Sequence, residues 1–455
     1  MSELIVSNEM PSVADQAQQQ SCALCARQTP EIIQLVDLDA RLATIALNAI
    51  APGQLPVGVC ARCVDILKRA VRLIETYPEA FSETRFALPT WVRMDADERF
   101  TGKGVTMAFL DSGFYAHDDL TKPDNRIVAY HSIFHREDDR TSLETTDAAS
   151  WHGMMTSVVA AGNGNLSDGF YRGIAPDSKL VLVKIGRTGR ISEEQIQTGL
   201  EWVLKNREKY NIRIVNISAG GDSEKSYLDS SLCQAVERAT KEGLVVVCAV
   251  GNAGLAPGHP VLPPASSPSS IAVGGLDDQN SLDRAKRGMY RSSYGPTFDG
   301  LQKPEIIAPG IWVAGPILPS TPTADQAELS SKLDVADDQE LRSIIEANEG
   351  IDKDFDQSRD LPVPLLRQLI TIKLREANVI NQHYKYIDGT SFAAPIVSSI
   401  VACMLEANPQ LTPQLVKRIL MDTAERVAGV EVERQGWGVV TPRRAVEVAS
   451  SLNVR

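Results

Sequence analysis

Four side chains in this chain of 455 residues form a candidate reaction centre: Asp111, His152, Asn252 and Ser391. Ser391 falls in the stretch 389–395 (GTSFAAP), where Gly389 lets the chain turn sharply before the apolar run 396–405 (IVSSIVACML). That pattern predicts a buried helix starting at the serine. The free N–H groups of a first turn and the positive end of the helix dipole stabilise negative charge, which favours a nucleophilic oxygen there. The position equally suits an ordinary capping serine. Pro395 is expected within the first turn, where its missing N–H costs nothing.

The other three lie where elements must end. Asp111 follows the apolar run 104–110 (GVTMAFL), a predicted buried strand. Open α/β sheets place their sites at the carboxyl ends of such strands, although an aspartate before Ser112-Gly113 also suits a plain turn. His152 leads into the stretch 154–161 (MMTSVVAA), and it alone of the six histidines opens an apolar helix of small residues. Capping or packing is its bland alternative. Asn252 follows a third run, 244–250 (LVVVCAV), in the sequence GNAG, which ordinarily marks a tight turn. Together the residue types suit acyl transfer. A serine at its ordinary pKa needs a base within hydrogen-bond reach, and the base needs an orienting group.

In chain order, Asp111-Ser112-Gly113, His152-Gly153, AVGNAG around Asn252 and GTSFAAP around Ser391 resemble the signature blocks of the subtilisin-like serine proteases. Weaker family-like blocks lie between them at 173–176 (GIAP), 216–221 (NISAGG) and 303–310 (KPEIIAPG), so the resemblance covers about residues 100–440. It implies that Ser391 attacks a peptide carbonyl and that His152 takes and returns the proton. Asp111 would hold the imidazole, and the Asn252 amide with the Ser391 N–H would cradle the oxyanion. It also implies that Ser218, Ala219 and Gly220 form a strand edge for the substrate backbone; a small-residue turn is the alternative. Three positions depart from the family pattern. Met154-Met155 stand where Thr-His is usual, Ile396 where His is common, and Ala253 where an acid often follows the asparagine. The last favours a neutral or apolar side chain before the scissile bond.

A net charge of −12 argues against nucleic acid or an anionic membrane as the main partner, and 43% hydrophobic residues exclude wholesale disorder. No run of 18 apolar residues occurs, so no membrane span is expected. The first twenty residues lack a basic region followed by an apolar one, so a disordered tail (1–20) and a cytoplasmic location are expected. Cys22-x-x-Cys25 and Cys60-x-x-Cys63 are paired knuckles of the kind that hold a structural Zn²⁺, and a helix at 64–77 should follow the second. The 34-residue spacer is longer than the commonest ribbon spacing, and reversible disulfides or inert thiols are the alternatives. Cys233, Cys248 and Cys403 read as small core residues.

The expected organisation is a zinc-finger-like module at 21–84 and a peptidase domain at 85–455, interrupted by an insertion at 316–386. The domain should be a three-layer, mostly parallel α/β sheet with helices on both faces. No inhibitory propeptide is recognisable in residues 1–100. The insertion is acidic over 325–360 (twelve acids, four bases) and amphipathic over 364–379. It reads as a solvated excursion, or as a lid or docking element for a regulatory protein. Asp352-x-Asp354-x-Asp356 resembles a calcium loop, with Gln357 in place of the glycine and Val363 at position twelve. The functional expectation is an intracellular serine endopeptidase acting on proteins or peptides. A latent protease released by cleavage or a partner is the second, and an inactive binding scaffold the third.

Overall fold

The computed structural model describes residues 20–24, 28–29, 31–38, 42–43, 46, 58–76, 87–135, 140–187, 190–256, 258 and 260–452. They divide into two units, Met1–Thr76 with Ser281–Lys286 and Tyr77–Asn280 with Arg287–Arg455. The helix of the small unit ends at Thr76, and the expected boundary at 84/85 lies outside the described residues. Apart from Gln20, the expected tail lies outside the described residues. In the small unit β1 (Ile32–Gln34) pairs antiparallel with β2 (Gly58–Cys60), which runs directly into α1 (Ala61–Thr76). Helix α1 buries Val64 and Leu67, neighbours on one face at i, i+3 spacing.

The large unit is built on eight strands: β3 (Thr106–Asp111), β4 (Ile127–Ser132), β5 (Lys179–Lys184), β6 (Ile212–Ile217), β7 (Val245–Ala249), β8 (Ile271–Asp277), β9 (Gly288–Met289) and β10 (Ile306–Pro309). Their order is β9-β8-β7-β6-β3-β5-β4, with β10 also paired to β8; every pairing is parallel except β8 with β9. A parallel sheet needs cover on both faces, and the continuous apolar strands supply it: all six residues of β3 are buried. On one face Ala108 and Leu110 share a core with α3 (Glu193–Asn206) and α4 (Ser231–Lys241) through Leu200 and Val236. On the other face lie α2 (Ser150–Ala161) and α9 (Thr390–Ala407), the latter packed on β6, β7, β8 and β10. Helix α9 is the one described helix long and apolar enough to cross a membrane, with mean hydropathy 1.5. Because 83% of it is buried inside the protein, that apolarity serves packing.

Register brings the strand ends level. Leu110 of β3 pairs with Ile217 of β6, and Ile217 with Cys248 of β7. Asp111, Ser218 and the turn after Ala249 therefore emerge side by side, at carboxyl ends where the chain has crossed from β5 over β3 to β6.

The insertion is a small folded body. It hangs on β11 (Val313–Pro316) and β12 (Tyr384–Ile387), which pair antiparallel. Between them α5 (Pro322–Val335), α6 (Leu341–Ala347), α7 (Lys353–Ser358) and α8 (Val363–Glu376) enclose a core including Leu333, Leu341, Phe355, Leu366, Ile370 and Leu374. The three α8 residues recur every fourth position, one stripe of a helix. Strand β12 ends two residues before Gly389, so the insertion returns directly to the turn before Ser391.

Candidate active site

Asp111 is the last residue of β3, with a side chain 2% exposed. Its Oδ1 lies 2.7 Å from His152 Nδ1 and accepts the Ser112 N–H at 2.7 Å; its Oδ2 accepts the Thr156 hydroxyl at 3.1 Å. His152 is the third residue of α2, and the close approach of that helix to β3 explains Gly153. A Cβ there would come within 2.1 Å of the Gly113 carbonyl oxygen and 2.9 Å of Asp111 Cβ. Burial disfavours the His152 imidazolium, but the charge and hydrogen bond of Asp111 outweigh it, so the His152 pKa lies above its ordinary value. The bond at Nδ1 fixes the ring and leaves Nε2 for the adjoining cleft.

Ser391 is the second residue of α9, after Gly389, whose φ of 136° is open to glycine but strained for other residues. Asn252, in the turn after β7, is locked by its own carbonyl. Its Oδ1 accepts the Thr390 N–H at 2.9 Å and the Thr390 hydroxyl at 3.0 Å, which leaves Nδ2 as the outward donor. Ser391, Asn252 and His152 line one cavity of about 890 Å³. The Ser391 hydroxyl donates to the Ser218 carbonyl at 3.5 Å, and no hydrogen bond joins it to His152 among the described residues.

Pro395 differs from expectation. It is the sixth residue of α9, beyond the first turn, so its missing N–H leaves the Ser391 carbonyl without the usual i→i−4 donor. The Ser218 hydroxyl supplies that bond at 2.9 Å, and Asn216 Nδ2 in turn donates to Ser218 Oγ at 3.0 Å. Asn216 is itself tied to α9, accepting from the Ser398 hydroxyl at 3.0 Å. The side chain of Ser218 thus holds the start of α9, while its backbone runs on past the end of β6 through Ala219 to exposed Gly220. Those three residues line a second crevice of about 540 Å³, which meets the first at Trp151 and His152.

Sequence reasoning passed over Thr156, Asn216, Thr390 and Trp151. Thr156 alone carried a signal, standing four residues after His152 and so on the same helical face. Asn216 and Thr390 depend on contacts with distant segments, whereas Trp151 adjoins His152 and packs edge-on against its ring.

The cysteine knuckles are drawn together in part. The sulfurs of Cys22, Cys60 and Cys63 all lie within 4.8 Å of one another, and the Cys60 N–H donates to Cys22 Sγ at 3.2 Å. Tetrahedral thiolates about 2.3 Å from a Zn²⁺ would be roughly 3.8 Å apart, so three soft donors at this separation fit that ion. Cys63 in the first turn of α1 also gains from the helix dipole. Cys25 lies outside the described residues. Cys233, Cys248 and Cys403 are buried free thiols, as expected of core residues.

The calcium-loop expectation is not met. Asp352 caps α7 and, like Asp354, binds Lys373, while Asp356 accepts the Gly350 N–H at 3.0 Å. Asp352 and Asp354 converge on that lysine while Asp356 turns to a backbone N–H, and the segment forms a helix rather than a loop that wraps an ion. Among the described residues the cysteine trio is the one group with metal-ligand spacing.

Comparison with known proteins agrees with these blocks in extent. The model of the Subtilase family matches residues 102–438. The serine protease AprX of Bacillus subtilis (strain 168) is 30% identical over 356 residues, 77% of this chain and 67% of that protein. Subtilisin Savinase of Lederbergia lenta is 32% identical over 213 residues, 46% of this chain and 65% of its own. Fervidolysin of Fervidobacterium pennivorans shares the fold at TM-score 0.53 and 21% identity, over 79% of this chain and 45% of that one. The CspB protease of Clostridium perfringens does so at TM-score 0.56 and 16% identity, over 83% and 98%. With the parallel sheet, the ordered blocks and a family match over most of its length, this chain belongs to the subtilase family of serine proteases.

Proposed function

We propose that the chain is a serine endopeptidase in which Ser391 is the nucleophile, His152 the general base and then acid, and Asp111 its orienting partner. Asn252 Nδ2 and the Ser391 N–H bind the oxyanion, and the edge 218–220 pairs with the substrate backbone. The observation that carries this reading is the 2.7 Å bond from His152 Nδ1 to a buried Asp111, with the rest of the imidazole facing the cavity of Ser391 and Asn252. Attack transfers the Ser391 proton to His152 Nε2 and forms the acyl bond as the amine leaves with that proton. Water then returns the enzyme by the same route. Ala253 beside the oxyanion site supports a neutral or apolar residue before the scissile bond.

The cysteine trio with Cys25 would hold one structural Zn²⁺, with thiols kept reduced in an intracellular compartment. Latency is a second reading, favoured by the Ser391 hydroxyl resting on Ser218 rather than on His152; a regulatory protein at the small unit or the insertion would release it. A fluorophosphonate probe tests both. Labelling of Ser391 in the untreated protein, absent in Ser391→Ala, supports the peptidase; labelling only after N-terminal cleavage supports latency. No labelling under any condition rejects the assignment. Metal analysis should give about one zinc per chain, lost in Cys22→Ser/Cys60→Ser.

A further inference from the structure

The two crevices that meet at His152 differ in what lines them. The smaller contains Ser218, Ala219 and Gly220. On the peptidase reading, the acyl side of a substrate runs there and the leaving-group side occupies the larger cavity. That cavity is walled by the stem of the insertion.

Four groups charged or titrating near neutral pH line the larger cavity: His152, Asp147, Asp388 and Lys385. Three are committed. His152 is held by Asp111, and Asp147 accepts from Lys184 Nζ at 2.9 Å. Asp388 accepts from the Tyr290 hydroxyl at 2.8 Å and from Arg291 at 3.3 Å. Lys385 is the exception. Its ammonium has no hydrogen bond or ion pair among the described residues, and burial alone acts on its pKa, pushing it down. It stands on β12 opposite Gly315 of β11. Ile387, two residues on and so on the same face, lies across Gly315, where a Cβ would come within 2.3 Å of its Cδ1. The lysine is therefore half-buried beside an apolar wall, with no counter-ion among the described residues.

A half-desolvated cation without a partner is an unfavourable feature of the free protein, and a bound carboxylate would relieve it. We infer that Lys385 is a specificity determinant that receives a carboxylate carried on the leaving-group side of the substrate. That carboxylate is an acidic side chain or the terminus of a short chain. The proposal rests on the peptidase reading and adds to it a role for the insertion, which delivers this lysine through its stem.

The test uses internally quenched peptides with a C-terminal amide, carrying Glu or Gln at each of the three positions after the scissile bond. Free-acid versions ending at the same positions test the terminal carboxylate. The full-length protein should prefer Glu to Gln at one position, or free acid to amide, by about five- to tenfold in kcat/KM. The ratio should shrink at high salt, fall to about one in Lys385→Met and invert in Lys385→Glu. Glu placed before the scissile bond should be insensitive to both changes. The salt dependence of the unmodified protein keeps the proposal testable should either variant fail to fold. A ratio near one in the unmodified protein, or one unchanged in Lys385→Met, overturns the assignment while leaving the peptidase intact. Cleavage of no peptide, with no probe labelling of Ser391, overturns both.

Discussion

The wall of the cleft that carries Asp111, Asn252 and Ser391 is made of strand ends and one helix start, fixed by a sheet buried on both faces. The opposite wall, with Ile317, Leu318, Thr321, Lys385 and Tyr386, belongs to an insertion with its own helical core and a two-stranded stem. On the proposed reading, the first presents the nucleophile and groups able to activate it. The second presents apolar side chains and a cation, Lys385, with no ion pair among the described residues. Reacting atoms need placement to within about 0.5 Å, which rigid elements supply; selecting a substrate charge tolerates a looser mount. The division predicts that changes to the sheet wall act on kcat, and changes to the insertion wall on the choice of substrate.

The largest effect should come from Ser391→Ala. It should lower kcat on the order of 10⁶-fold, the size measured for the same residue type in subtilisin, a relative. Turnover retained at more than a small fraction would move the nucleophile elsewhere. Asn252→Ala should cost about 10²–10³ in kcat, a magnitude likewise taken from subtilisin, with little change in KM. A rise in KM at constant kcat would instead assign Asn252 to ground-state binding.

The pH profile is the next test. If His152 is the base, it can act only when neutral, so kcat/KM should rise through an apparent pKa above the ordinary ~6.5. Asp111→Asn should shift that inflection downward as well as lower the rate. The same pair contributes stability that is complete below about pH 6.5 and lost as pH climbs through the raised folded-state value. The melting-temperature gap between the parent and Asp111→Asn should therefore be larger at pH 5.5 than at pH 9.

The smallest effect concerns how the wall is held. Ser218→Ala removes the donor to the Ser391 carbonyl and should cost about 1–3 kcal/mol. Pro395→Ala restores a helical N–H for that carbonyl, so the double variant should lose less than Ser218→Ala alone. Strict additivity in denaturant unfolding would show that the two changes do not share this carbonyl.

The sheet was legible because parallel strands buried on both faces read as continuous apolar runs: 104–110 and 244–250 in the sequence are β3 and β7 in the fold. Gly389 marked the turn into α9 for an equally local reason. Other features had no local signal. Pro395 looked harmless from its neighbours, and only the observed helix start, five residues earlier, shows that it strands the Ser391 carbonyl. Acidic composition made 325–360 look solvated, yet its sparse apolar residues face inward around Phe355. Asp352, Asp354 and Asp356 matched a ligand spacing, but the segment forms a helix in which the first two pair with Lys373 and the third with the Gly350 N–H.

The sequence by itself determined which segments form strands and helices and in what order the reactive residue types appear, because those depend on short-range periodicity and backbone preference. Only the tertiary structure decided which side chains share a cavity. Strand register sets Asp111 level with Ser218, helix packing seats His152 against Asp111 at Gly153, and the stem of the insertion brings Lys385 to the cleft. Each of these is a contact between segments far apart in the chain, specified by how whole elements pack rather than by any neighbour in sequence.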